Sequence, residues 1–290
     1  MKTGLIMEGG AMRGMFTAGV IDIFMENGIE FDAAIGVSAG AAFGCNYKSR
    51  QIGRVIRYNK RFCKDPRFCS FRSLIKTGDL FGAEFCYHTI PDEIDLFDTQ
   101  AYEDNPMDFY VVCTDVTTGK AVYINSDEAG DDALEYFRAS ASMPLVSNVV
   151  EIKGRKLLDG GIADSVPIQY FESIGYNRNV LILTQPKGFV KKPSSAAKIM
   201  KFVLKKYPMI AKTMENRHIE YNTTLAYIDK KEESGEVLVI RPESPLEIGR
   251  IEHNPDKLQA VYDLGREAGM KHLEAVKVFL KAKETAVCGK

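Results

Sequence analysis

Residues 32–40 read Asp32-Ala33-Ala34-Ile35-Gly36-Val37-Ser38-Ala39-Gly40, and the fold turns on this stretch. A short apolar run leads to a serine between glycines, and small residues suited to a helix follow. Two readings compete. Ser38 can cap the helix, as serine commonly does. It can instead occupy a sharp strand-to-helix elbow that pushes its hydroxyl into the open as a nucleophile. At roughly 7% glycine and 7% serine, a chain of this length meets G-x-S-x-G by chance about one time in ten. The pattern alone therefore decides little. Its placement favours the elbow, which needs a strand before, a helix after and small flanking residues.

The neighbouring sequence supplies that context. Thr3–Met7 predicts a buried strand, Gly9–Gly14 a glycine-rich turn, and Met15–Asn27 a helix with Phe16, Val20, Ile23 and Phe24 at helical spacing. Phe31–Val37 predicts a second strand and Ala39–Tyr47 a helix of small residues. Strand, helix, strand, helix is the pattern of an α/β protein with a largely parallel sheet covered by helices.

Farther along, residues 51–105 carry a weaker signal, with a basic helix near Ile52–Lys64 and an acidic stretch Asp92–Asp98. Glu93, Asp95 and Asp98 lack calcium-loop spacing and read as a solvated loop. Met107–Asp115 and Lys120–Asn125 predict a hairpin, as do Val149–Ile152 and Lys156–Leu158. Ala129–Ser140 predicts a helix, and Asn179–Thr184 and Glu236–Ile240 predict strands. Pro255–Lys283 predicts a long amphipathic helix, with Leu258, Val261, Tyr262, Leu273, Val276 and Leu280 near one face. The simplest organisation is a catalytic domain over 1–185 and a carboxy-terminal extension over 186–290 packed on it.

Composition narrows the function. The 290 residues carry a formal net charge of −1, which argues against a general nucleic-acid binder. Glu8 ends the first apolar run too early for a secretory leader, and no apolar stretch approaches the ~18 residues of a membrane span. A cytoplasmic protein is expected. Six cysteines form no C-x-x-C pair, so reduced, mostly buried thiols are expected.

A serine nucleophile needs a base and an oxyanion site. Of four histidines, His88 lies in the weak segment, His218 follows a basic stretch, and His272 lies inside the last helix. His253, in a loop after a strand, is the best placed. The other option is a carboxylate: Asp159-Gly160-Gly161 ends a strand. Asp-Gly is also an ordinary turn dipeptide, and an unperturbed aspartate with pKa ≈ 3.9 is a weak base for a hydroxyl. Glu8-Gly9-Gly10-Ala11-Met12-Arg13-Gly14 can aim several backbone N–H groups at one point. As a dinucleotide loop it fails, because Ala11 replaces the middle glycine and the next strand ends without an acidic residue.

Taken in order, these pieces resemble the patatin-like phospholipases. Gly9-Gly10-Ala11-Met12-Arg13-Gly14 resembles the family's oxyanion loop, and Gly36-Val37-Ser38-Ala39-Gly40 its nucleophile elbow. Asp159-Gly160-Gly161 resembles the element carrying its catalytic aspartate. Ala139-Ser140-Ala141-Ser142-Met143-Pro144 and the run from Asp159 to Pro167 also look like the family. The resemblance spans residues 3–185 and implies a three-layer α/β/α fold. It implies a serine lipid acyl hydrolase with a Ser38–Asp159 dyad, an acyl-enzyme intermediate, a lipid ester substrate, no cofactor and no metal. It implies that Gly10, Ala11 and their neighbours bind the oxyanion and that Arg13 braces the loop. Ala11 departs from a glycine common there, and alanine takes positive φ only at a cost.

Other readings stay open at this level. An acyltransferase or thioesterase would share the dyad. An α/β-hydrolase would use His253, and a lipid-binding module would keep the fold without turnover. The eight lysines and no acidic residue of Lys187–Lys212 suit either a packing helix or peripheral contact of 196–212 with an anionic membrane at the inner face. The acyl pocket is expected from residues 50–110. Oligomeric state leaves no sequence signal.

Overall fold

A computed structural model describes residues 1–194 and 204–281. β1 (Lys2–Met7), α1 (Gly14–Glu26), β2 (Ala33–Val37) and α2 (Ala39–Lys48) follow the expected alternation. α3 (Arg54–Phe62), α4 (Phe71–Thr77), a π-helical segment Phe85–Ile94 and α5 (Thr99–Asp104) come next. β3 (Asp108–Asp115) and β4 (Ala121–Asn125) form the first hairpin. α6 (Ala133–Ser140) precedes the second, β5 (Val150–Ile152) and β6 (Arg155–Asp159). α7 (Ile168–Ser173), β7 (Tyr176–Ile182), α8 (Pro208–Glu233), β8 (Val237–Ile240) and α9 (Pro255–Lys281) complete the order.

Among the described residues, eight strands form one sheet in the order β5-β6-β3-β2-β1-β7-β8, with β4 also on β3. From β3 through β2, β1 and β7 to β8 every pairing is parallel. The strands are apolar on both faces, as a sheet covered on both sides requires. Leu5, Met7, Ala34, Val111, Val180 and Ile182 point into one core with α1, α2, α6 and α9. Ile6, Ile35, Val112, Leu181 and Val239 alternate into the opposite core with α7 and α8. The fold is thus α/β with three layers.

α1 is buried from Gly14 to Phe24 because α9 covers the side turned away from the sheet. The two helices cross backbone to backbone. A Cβ on Gly19 would lie 2.1 Å from the Tyr262 carbonyl oxygen, and one on Gly265 would lie 2.1 Å from that of Phe16. Leu258, Val261, Tyr262, Leu273 and Val276 of α9 are buried as their spacing predicted, and Leu280 is partly buried.

The structure departs from the sequence reading in several places. β7 starts at Tyr176 rather than Asn179. The predicted helix from Ala129 opens with a short 3-10 turn, Gly130–Asp132, before α6. α8 has no counterpart in the sequence reading. Asp95 is not a solvated loop residue. It is buried and takes both arms of Arg57 at 2.7 Å, because α3 packs against this stretch. Residues 196–203 of the basic stretch 196–212 lie outside the described residues. Its described remainder is the turn Leu204–Lys206 and the start of α8. No helix of the described residues is long and apolar enough to cross a membrane.

Candidate active site

Pairing along β3 explains how residues 121 positions apart meet. β4 occupies one edge of β3 through Thr114. β2 and β6 must therefore share the other edge, and they run towards each other. β2 ends with Val37 opposite Val112, and β6 ends with Asp159 opposite Cys113. The next residue after β2 is Ser38. Its Oγ donates to Asp159 Oδ2 at 2.7 Å.

Ser38 does not cap α2. Its hydroxyl makes no capping hydrogen bond, and its backbone sits at φ 54°, ψ −120°. A non-glycine residue held there stores roughly 1–3 kcal/mol of strain. Ser140 holds the elbow: Ser38 N–H donates to Ser140 Oγ at 2.8 Å, and Ser140 donates to the Val112 carbonyl at 2.6 Å. Glycine is required at position 40, where a Cβ would lie 2.3 Å from the Met7 carbonyl oxygen.

Asp159 is 2% exposed. Its Oδ1 accepts from Gly161 N–H at 2.7 Å, and Thr114 Oγ1 donates to its carbonyl at 2.8 Å. Burial raises its pKa above the ordinary aspartate value. The Ser38 hydroxyl, Arg217, the Gly161 N–H and Arg250 pull the other way and do not cancel it. The shift makes Asp159 a stronger base than a solvated aspartate. Gly160 cannot carry a side chain, since a Cβ would lie 2.2 Å from the Val112 carbonyl oxygen.

The loop from Gly9 to Gly14 borders the same space through Ala11 and Met12. Ala11 adopts φ 50°, so the alanine carries the left-handed cost of about 1–2 kcal/mol that glycine would avoid. Arg13 N–H closes the turn on the Gly10 carbonyl at 3.2 Å. The Arg13 guanidinium Nε is buried with no hydrogen-bond partner. The loop's anchor is Glu8. Its buried carboxylate accepts from Thr184 N–H at 2.6 Å, Thr184 Oγ1 at 3.1 Å and the Tyr221 hydroxyl at 2.5 Å.

A cavity of about 480 Å³ opens from Ser38, within the ~300–1,000 Å³ usual for small-molecule sites. Tyr58, Phe68, Phe81 and Ile90 come from the segment where the acyl pocket was expected, and Phe43 and Phe137 from outside it. Cys45 and Cys86 also line it. Burial pushes the Cys45 thiol up to about 12 and raises that of Cys86 too, so neither is a thiolate nucleophile.

None of the four histidines reaches the dyad. His253 Nδ1 bonds the Cys63 carbonyl, and His88 faces Glu135 at 3.5 Å. His218 and His272 bond the carbonyls of Glu215 and Ala268 within their own helices. Among the described residues no cluster of three or more His, Cys, Asp or Glu side chains is placed to hold a metal ion.

Sequence reasoning missed Arg217 and Tyr221 on α8, Lys191, Arg250, and the roles of Glu8 and Ser140. Arg217 Nη2 is 3.5 Å from Ser165 Oγ. It also lies 3.2 Å from the point where a Cβ on Gly161 would sit, and Asp159 Oδ1 lies 3.1 Å from that same point. Ser140 lay in the Ala139–Pro144 run, Glu8 at the head of the glycine-rich loop and Lys191 in the basic run, but Arg217, Tyr221 and Arg250 carried no signal.

Residues 5–172 match a family described as Patatin-like phospholipase, and residues 207–281 match a Domain of unknown function (DUF6363). "Uncharacterized protein YjjU" of Escherichia coli (strain K12) is 28% identical, over 97% of this chain and 80% of its own length. "Lysophospholipase NTE1" of Chaetomium globosum is 27% identical over 60% of this chain, which spans 11% of that protein. "Uncharacterized NTE family protein Mb1092c" of Mycobacterium bovis is 26% identical over 68% of this chain and 52% of its own length. Among solved structures, VipD from Legionella pneumophila aligns with a TM-score of 0.48 and 12% identity, covering 94% of this chain and 67% of that one.

Proposed function

The chain belongs to the patatin-like phospholipase family and is by that membership a lipid ester hydrolase; we propose that it cleaves carboxylic esters through Ser38 and Asp159. The observation that carries this reading is the 2.7 Å hydrogen bond from Ser38 Oγ to the buried Asp159 carboxylate, at the end of an apolar cavity. Ser38 Oγ attacks the ester carbonyl carbon as its proton passes to Asp159 Oδ2. Negative charge gathers on the carbonyl oxygen. The backbone N–H groups of Gly10 and Ala11 and their neighbours in the Gly9–Gly14 loop receive it, beside the positive amino terminus of α2. The C–O bond to the alcohol breaks, the alcohol takes the proton from Asp159, and the acyl group stays on Ser38. Water then gives a proton to Asp159 and attacks the acyl carbon. Ser38 leaves with that proton, and the fatty acid is released.

Gly36 and Gly40 let β2, the elbow and α2 pack closely around Ser38, since a Cβ would lie 2.5 Å from Ala41 Cα at Gly36 and 2.3 Å from the Met7 carbonyl oxygen at Gly40. Gly160 lets the backbone after Asp159 lie against β3, and Gly161 leaves room for the Asp159 carboxylate and Arg217. Lipid esters are the substrate class that suits the apolar cavity.

Labelling by a fluorophosphonate probe and hydrolysis of short-chain esters test the dyad. Wild type is expected to label and turn over, and Ser38→Ala and Asp159→Asn to do neither. Near-normal turnover in either variant would overturn the assignment.

A further inference from the structure

We propose that Lys191, Arg217 and Arg250, with Arg13, form a phosphate-binding corner beside Ser38 that takes the phosphate of an acyl ester's headgroup. The headgroup clause rests on the hydrolase reading above; the binding site does not. Three of these cations lie outside the residues 5–172 that match the family.

Placement comes first. Arg250, in the loop before α9, lines the cavity that Ser38 and Ala11 line. Arg217 stands against Gly161 and Ser165, behind the Asp159 carboxylate. Lys191 Nζ lies 4.1 Å from the centre of the Tyr221 ring, whose hydroxyl reaches Glu8 at the base of the Gly9–Gly14 loop. Lys191 is fixed by a reciprocal pair of bonds with Asn222: its N–H donates at 2.8 Å and its carbonyl accepts at 3.0 Å.

Glu8 and Asp159 face Lys191 and Arg217, and both are committed; Asp164 and Glu220 line a small pocket with Arg217. Glu8 serves Thr184 and Tyr221, and Asp159 serves Ser38 and Gly161. The Nε atoms of Arg13 and Arg217 are both buried without a hydrogen-bond partner. Buried guanidinium donors are nearly always paired. Two left unpaired in one positive corner match the several acceptor oxygens and negative charge of a phosphate.

The electrostatics of Lys191 agree with this geometry. Burial first, then Arg217, Arg13 and Arg250, lower the Lys191 ammonium to about 8, while Glu8 opposes them. An anion among these groups would raise it again, so binding near pH 8 takes up a proton. The apolar cavity runs from the same serine. An acyl chain there and a phosphate in the cationic corner place the ester between them.

The test is binding, read on the full-length Ser38→Ala protein so that turnover does not enter. Calorimetry compares an eight-carbon monoacylglycerol phosphate, the same monoacylglycerol without phosphate, and inorganic phosphate. The phosphate ester is expected to bind at least tenfold more tightly than either. Adding Lys191→Met or Arg250→Gln is expected to reduce its preference over the neutral ester about tenfold. Buffers of different ionisation heat should reveal proton uptake at pH 8 that Lys191→Met abolishes. Equal affinity for the two esters, or a preference unchanged in both variants, overturns the site. Inorganic phosphate binding as tightly as the ester assigns the corner to free phosphate and overturns the headgroup reading. None of these results depends on whether Ser38 and Asp159 perform the hydrolysis.

Discussion

Replacing Arg217 with glutamine should move the acid side of the pH–rate profile upward. In the proposed mechanism Asp159 must be ionised to accept the Ser38 proton, so kcat/KM falls as the pH drops through its pKa in the free enzyme. Burial raises that pKa, and Arg217 is one of the groups that restrain the rise. Removing a positive neighbour disfavours the carboxylate, so the pKa climbs further and activity is lost at a higher pH. Arg217 Nη2 and Asp159 Oδ1 both lie within 3.2 Å of one point beside Gly161. They are therefore at most about 6 Å apart, where unit charges interact by about 3 kcal/mol at an effective dielectric constant of about 20. At 1.36 kcal/mol per pH unit that is about two units. Solvent entering the space left by the guanidinium weakens the effect, so a shift of about one to two units is expected. The assay is kcat/KM for a short-chain ester from about pH 4 to about pH 9. Arg217→Lys serves as the control that keeps the charge and should stay near wild type. A folded Arg217→Gln protein whose acid limb moves by less than about 0.3 unit would refute the reasoning.

Two further changes probe the scaffold. Gly265→Ala gains about 1 kcal/mol of helix propensity but sets a methyl 2.1 Å from the Phe16 carbonyl oxygen, and the overpacking costs roughly 1–3 kcal/mol. The urea midpoint should fall with little change in slope; an unchanged or higher midpoint would count against the close crossing of α1 and α9. Ser140→Ala strips partners from Ser38 N–H and the Val112 carbonyl. It should cost about 2 kcal/mol in stability and lower kcat/KM at least tenfold, and wild-type values for both would remove Ser140 from the elbow.

The elbow was legible because its chemistry is local. A strand, a serine between small residues and a helix lie within one short run, and the same holds for Asp159 at the end of β6. The hairpins were legible for a similar reason, since alternating apolar residues flank turn residues such as Thr118-Gly119 and Gly154. α8 was not. Only Ile210, Ala211, Tyr221 and Ile228 are buried over its 26 residues, too sparse for a helical period to stand out. Arg217 therefore looked like any surface arginine. Asp95 failed in the opposite sense: within an acidic run it read as solvated, while its partners Arg54 and Arg57 sit roughly forty positions upstream. The cost of a positive φ at Ala11 was raised by the family resemblance, where alanine departs from a common glycine, and the support of that loop by Glu8 needed β7 and α8 in space.

α8 also separates what the site does from how it is tuned. Ser38 and Asp159 come from strand ends that meet on β3, whereas Arg217 approaches Asp159, and Tyr221 reaches Glu8, from a helix beyond the matched residues 5–172. If Ser38 and Asp159 act as proposed, substitutions on that helix reset the working pH of the pair without touching the elbow, the loop or the Asp-Gly-Gly run. Two chains with the same elbow, loop and Asp-Gly-Gly can therefore differ in the acidity they tolerate. An engineer seeking such a change would recombine the carboxy-terminal helix and leave the serine and its aspartate as they are.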